Sequence, residues 1–252
     1  MRRRSDDEEG RFWIGPNDLD ALVEEELCKA NLYPSQAHPV VDIERLIENH
    51  LGARLDQFAD LGPQIQGQTV FVVGNPPLVQ IQRSDSERAD VEGGVARFRV
   101  RMTMAHEAMH ILLHSRLFST HRSQLALLDG DTQASAGTLF RCQEIGIEDG
   151  PRRSHHYDWR EIQANKGMAA LLMPKEHFRD TVEEECEREK ICRYRLYPGT
   201  PATWKVAARV SELLHVSKQA VLIRMTELAL LVPPGQELLR FPDSEDEEDS
   251  FV

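Results

Sequence analysis

The sequence has no apolar run near the roughly 20 residues that a membrane-spanning helix needs. Its first residues, MRRRSDDEEGR, lack the apolar core of a secretory signal. The expectation is a cytoplasmic protein with no membrane segment. Cysteine is scarce. Cys28, Cys142, Cys186 and Cys192 are scattered, contain no CxxC pair and fit no standard zinc spacing, so they read as reduced thiols rather than a disulfide framework. Positive charge is short too: 30 Lys and Arg stand against 42 Asp and Glu, a formal net charge of −12. Broad electrostatic attraction to DNA is not expected of such a chain.

What is present reads as an ordinary globular protein, 40% apolar and 29% charged over 252 residues. Residues 1–15 are expected to be a disordered start and 236–252 an acidic tail built around Asp243–Asp249. Between them the pattern suggests a main domain over 16–180, with a polar insertion at about 119–156, and a helical subdomain over 181–235. Apolar spacing predicts helices at Asn17–Ala30 and Val41–Leu51, the second ending at Gly52. Short alternating or β-branched segments predict strands at Thr69–Val73, Leu78–Gln82 and Ala96–Arg101. Further helices are expected over Thr103–His114, from Asp158 or Trp159 to Leu172, and at Thr203–Leu214 and Ser217–Leu231. The fold class is α+β, with a small antiparallel sheet feeding the Thr103–His114 helix.

The chemistry-bearing segment is His106-Glu107-Ala108-Met109-His110. Residues four apart on a helix share a face, so both imidazoles can reach one metal ion. Glu107 lies one step round, where it can take a proton from water beside the metal's open position. Zinc suits the arrangement because it accepts neutral imidazole and tolerates three protein ligands with one place vacant.

Two histidines four apart also arise by chance, so the motif needs a third ligand. The extended form HExxHxxGxxH is absent: Leu113 stands where glycine is required and Arg116 where the third histidine is required. The other source is a carboxylate on a later helix. Glu161 opens a segment in which Ala164, Gly167, Ala169 and Ala170 are small enough for close approach to the His106 helix. Glu161 has an equal claim to a capping role, three residues after Asp158.

The run Arg99–His114, followed by Glu161-x-x-Ala164-Asn165 and Leu171-Leu172-Met173-Pro174, resembles the ImmA/IrrE metallopeptidases. The likeness is specific over these two blocks and looser over about two-thirds of the chain. It implies a compact zincin-like fold, Glu161 as the third metal ligand, Glu107 as the catalytic base, and one Zn2+ ion, with Mn2+ also compatible with two His and one Glu. It further implies a protein substrate, cleaved at a specific site: a helix-turn-helix transcriptional repressor of stress or phage genes. The chain departs from the family pattern at Met109, where a small residue is usual, and at Gly167-Met168, where an aromatic residue and Ala are usual. Together these suggest a swap of bulk between facing helices.

Weaker signals remain. His155, His156 and Tyr157 precede the Glu161 helix and are candidates to donate to an oxyanion or to support the ligands. His114, one turn beyond His110, reads as a supporting residue or a partner of the helix C-terminus. The pair Thr203–Leu214 and Ser217–Leu231 resembles a helix-turn-helix, with Ser217 as N-cap. That pair supports an alternative function, a DNA-binding or protein-binding regulator without turnover. Its basic residues, Lys205, Arg209, Lys218 and Arg224, are few, so direct DNA binding is not the favoured reading.

Overall fold

A computed structural model describes residues 14–62, 64–72, 74–125, 138–143, 159–192 and 196–232, with the backbone alone at 116–125 and 138–143. The fold is α+β and mostly helical. Helix α1 (Pro16–Lys29) begins at Pro16, whose missing N–H is no loss in a first turn. Its buried face carries Leu19, Asp20, Val23 and Leu27. The short α2 (Ile43–Arg45) starts at Asp42, whose carboxylate accepts from the Arg45 amide at 2.9 Å, and continues as a π-helical turn over Leu46–His50. Gly52 follows with φ of 62°, a left-handed conformation that glycine adopts at little cost.

The sheet runs in the order β1 (Arg54–Ala59), β3 (Leu78–Gln82), β2 (Ile65–Phe71), β4 (Thr138–Gln143). It is mixed, which corrects the expectation of a purely antiparallel sheet: β1 pairs with β3 in parallel, while β2 is antiparallel to both β3 and β4. The alternation along β2 buries Gly67, Thr69 and Phe71 on one face. The strand expected at Ala96–Arg101 is helix instead. After α3 (Arg83–Glu92) and a turn at Gly93 and Gly94, both with positive φ, the chain enters α4 (Gly94–Leu125), a helix of 32 residues. Alternating Arg and apolar residues imitate a strand there. Helical spacing nevertheless puts Val100 and Met104 inside while leaving Arg97 and Arg99 exposed. The supposed insertion at 119–156 is likewise structured in part, since it holds the end of α4 and all of β4.

Helix α5 (Trp159–Leu172) packs against α4. Gly167 makes that possible: a Cβ there would lie 2.4 Å from Cε and 3.0 Å from Cγ of Met109. The swap of bulk suggested by the sequence is thus visible as a contact, with Met109 fully buried. We expect Gly167→Ala to cost about 1–3 kcal/mol, read by chemical denaturation. The same change in a Met109→Ala background should cost little, giving a coupling above about 1 kcal/mol in a double-mutant cycle. Additive effects would mean that the two helices adjust independently.

Three helices close the described chain: α6 (Lys175–Arg188), α7 (Pro201–Leu214), capped by Thr200, and α8 (Lys218–Glu227), capped by Ser217 accepting from the Ala220 amide at 3.1 Å. One buried apolar cluster includes Val23 and Leu27 of α1, Val79 and Ile81 of β3, Met104 and Met109 of α4, Leu171 of α5, Val206 and Val210 of α7 and Val221 of α8. Among the described residues no helix is long and apolar enough to cross a membrane.

Candidate metal centre

The helical spacing of four puts His106 and His110 on one buried face of α4, at 2% and 0% exposure. Glu161, in the first turn of α5, reaches the same point from the facing helix. Nε2 of His106 lies 3.0 Å from Nε2 of His110 and 3.1 Å from Oε2 of Glu161, and Nε2 of His110 lies 3.4 Å from Oε1 of Glu161. Ligands held tetrahedrally by zinc at roughly 2.0–2.1 Å would be about 3.3 Å apart. The spacing therefore suits a shared ion.

The outer ring nitrogens strengthen that reading. Nδ1 of His106 is 3.0 Å from Oδ1 of Asn165, so it carries the proton and donates, which leaves the Nε2 lone pair facing the centre. Nδ1 of His110 is 3.2 Å from Nδ1 of His114, which is itself buried and packed edge-on against Trp159. Two imidazoles and a carboxylate thus converge on one point, a donor set able to hold a cation. The field of the site favours positive charge at this point, whether a proton on an imidazole or a metal ion. Burial works to raise the Glu161 carboxyl, but its bonds to His106 and His110 outweigh it and bring it down to about 2. Burial works to lower His106, and the Glu161 hydrogen bond with the charges of Glu107 and Glu161 carries it upward instead.

Glu107 is fully buried beneath β2. Its Oε2 accepts from Oγ1 of Thr69 at 2.6 Å, while Oε1 has no hydrogen-bond partner among the described residues. Burial pushes the carboxyl up to about 7, against the His106 charge and the Thr69 bond. Gly67 makes space for it: a Cβ there would lie 2.5 Å from Cγ2 of Thr103 and 3.1 Å from Oε1 of Glu107.

The structure brings together four of the sequence candidates, His106, Glu107, His110 and Glu161, with His114 supporting His110. His155, His156 and Tyr157 lie outside the described residues, as does Asp158, so the capping alternative for Glu161 does too. Sequence reasoning missed Thr69 and Gly67, which touch the site only because β2 packs on α4. It quoted Asn165 without assigning it a task, although Glu161 and Asn165 are four apart and share a helix face. Fold and site together define an α+β protein whose His2Glu triad is able to hold a metal ion. Compared with known proteins, the chain matches no family model and no curated protein.

Proposed function

We propose that this protein is a cytoplasmic zinc-dependent endopeptidase with a zincin-like fold, of the ImmA/IrrE kind, acting at a specific site in a helix-turn-helix repressor. The observation that carries the reading is the convergence of His106, His110 and Glu161 beside a buried glutamate with one unpaired carboxylate oxygen. Zinc, favoured over manganese on affinity, supplies Lewis acidity that polarises a carbonyl and acidifies water when bound. Glu107 takes the proton of the attacking water at Oε1 as the water oxygen bonds to the carbonyl carbon. It then returns that proton to the amine nitrogen as the C–N bond breaks. Thr69 holds the other carboxylate oxygen, and Asn165 and His114 keep the two imidazoles turned inward.

A substrate strand cannot add along Leu78–Gln82, because β3 is paired on both sides, nor along Ala96–Arg101, which is helical. The outer edge of β4 is the better candidate, because its neighbour β2 carries Thr69 and Gly67 against Glu107. The regulator alternative finds little support in α7 and α8. Arg224 is buried against Asp20, and Lys205 and Arg209 both engage Glu189.

Elemental analysis of the purified chain should find about one zinc per molecule, and a quenched-peptide library should be hydrolysed. A chelator should abolish hydrolysis and added zinc should restore it. A chain that binds no zinc when supplied, or whose hydrolysis ignores the chelator, is not this enzyme.

A further inference from the structure

Helices α4 and α5 meet along three successive turns of α4. Asn165 of α5 bonds to His106, Glu161 lies against His106 and His110, and Trp159, the first residue of α5, packs on His114. Residue numbers rise along α4 while they fall along α5, so the two helices run antiparallel and His114 is the last rung of the contact. His106, His110 and His114 are spaced by four and share a face of α4. The third rung supplies no ligand, yet it carries the bond that supports one.

With Nε2 of His110 turned to the triad, its Nδ1 carries the proton and donates to Nδ1 of His114 at 3.2 Å. The usual acceptor behind a ligand histidine is a carboxylate, a backbone carbonyl or water, each of which accepts over a wide range of directions. A neutral imidazole accepts only at the one nitrogen that lacks a proton. Turned over, His114 would present Cδ2 to His110 instead. The support is therefore only as good as the orientation of the His114 ring.

Trp159 stands where it can hold that orientation. Its ring centroid lies 5.6 Å from that of His114, with the planes at 88°, an edge-to-face arrangement that aromatic pairs favour. The guanidinium carbon of Arg160 lies 5.8 Å from the centroid of the Trp159 ring, within reach of cation–π attraction. Glu161 follows two residues after Trp159, so one turn of α5 supplies both a triad carboxylate and a brace for the partner of His110. We propose that Trp159 is a positioning residue of the metal centre. By packing edge-to-face on His114 it fixes the ring that accepts from His110, and through that pair it sets how tightly the centre holds a divalent ion. The inference rests on the reading of His106, His110 and Glu161 as zinc ligands.

The test measures the zinc affinity of the full chain by chelator competition, beside the thermal midpoint of the metal-free protein. Trp159→Leu keeps an apolar side chain but no ring, and should bind zinc about tenfold more weakly, the lower end of what an outer partner of a ligand is worth. Trp159→Phe, which keeps an aromatic face, should stay within about threefold of the wild type. His114→Ala should weaken binding about 10–100-fold, and adding Trp159→Leu to it should change little further, because the indole acts through that ring. Wild-type zinc affinity in Trp159→Leu, whatever its thermal midpoint, or full additivity with His114→Ala overturns the proposal and leaves the triad standing. A wild type that binds no zinc overturns the triad reading and this inference with it. If Trp159→Leu does not fold, tryptophan emission decides: zinc should change it in the wild type and not in Trp159→Phe. An unresponsive wild type, or a response that survives in Trp159→Phe, overturns the proposal.

Discussion

On the proposed peptidase function, Glu161→Ala is expected to lose the metal and Glu107→Gln to keep it, while both lose turnover. The two glutamates differ in what they touch. Glu161 offers one oxygen to each histidine, at 3.1 and 3.4 Å, and is the only carboxylate in the triad. Removing it leaves two neutral imidazoles for a divalent ion, so affinity should fall by more than the roughly 100-fold that loss of a ligand's supporting partner can cost. Glu107 bonds to Thr69 rather than to either histidine. Glutamine there keeps an oxygen to accept from Thr69 and relieves the burial of a carboxylate, so fold and metal should be retained. It cannot accept a proton, and turnover should drop about 10²–10⁴-fold. Metal content after dialysis, a chelator competition and peptide-library hydrolysis measure all three quantities. Retention of the ion by Glu161→Ala would sink the ligand assignment; full activity in Glu107→Gln would sink the base.

Truncating Arg224 should produce a large loss of stability away from the candidate metal centre. Its guanidinium is 4% exposed, donates from Nη2 to Oδ1 of Asp20 at 2.6 Å and from Nε to the Met173 carbonyl at 3.2 Å. It therefore ties α8 to α1 and to the end of α5, three elements far apart in sequence. Both ion-pair partners are withdrawn from water, so removing Arg224 leaves Asp20 as an uncompensated buried charge, and removing Asp20 leaves Arg224 only the more exposed Glu227, 3.7 Å from Nη1. Arg224→Ala or Asp20→Ala should cost about 3–5 kcal/mol, read as a lower denaturation midpoint at unchanged slope. The double change Asp20→Leu with Arg224→Met should recover much of that, because an apolar pair owes nothing to desolvation. A cost below about 1 kcal/mol for the single changes would show that water reaches the pair.

The two histidines of the candidate triad were legible because their signal is local. His106 and His110 need only the helical repeat, and the run of small residues after Glu161 announces a close helix contact that Gly167 and Met109 then make. The helices α1, α5, α7 and α8 were legible for the same reason, through apolar periodicity and caps such as Ser217. The sheet was not. β1 is a polar strand whose only pattern is its parallel pairing with β3, and β4 lies in a stretch without strong periodicity. The segment Ala96–Arg101 misled because so short a piece of helix, with Arg97 and Arg99 exposed and Val100 buried, imitates period-two alternation.

By itself, then, the sequence determined that His106 and His110 could share a metal and which helix presents them, since spacing within one helix sets that distance whatever the rest of the chain does; Glu161 joins them only through the packing of α5 on α4. Only the tertiary structure decided that Thr69 and Gly67 attend Glu107, that Asn165 turns His106 inward, and that Arg224 points into the core at Asp20. Each of these joins residues from different elements. Such contacts depend on how sheet and helices pack, and packing is settled by the burial of the whole chain at once.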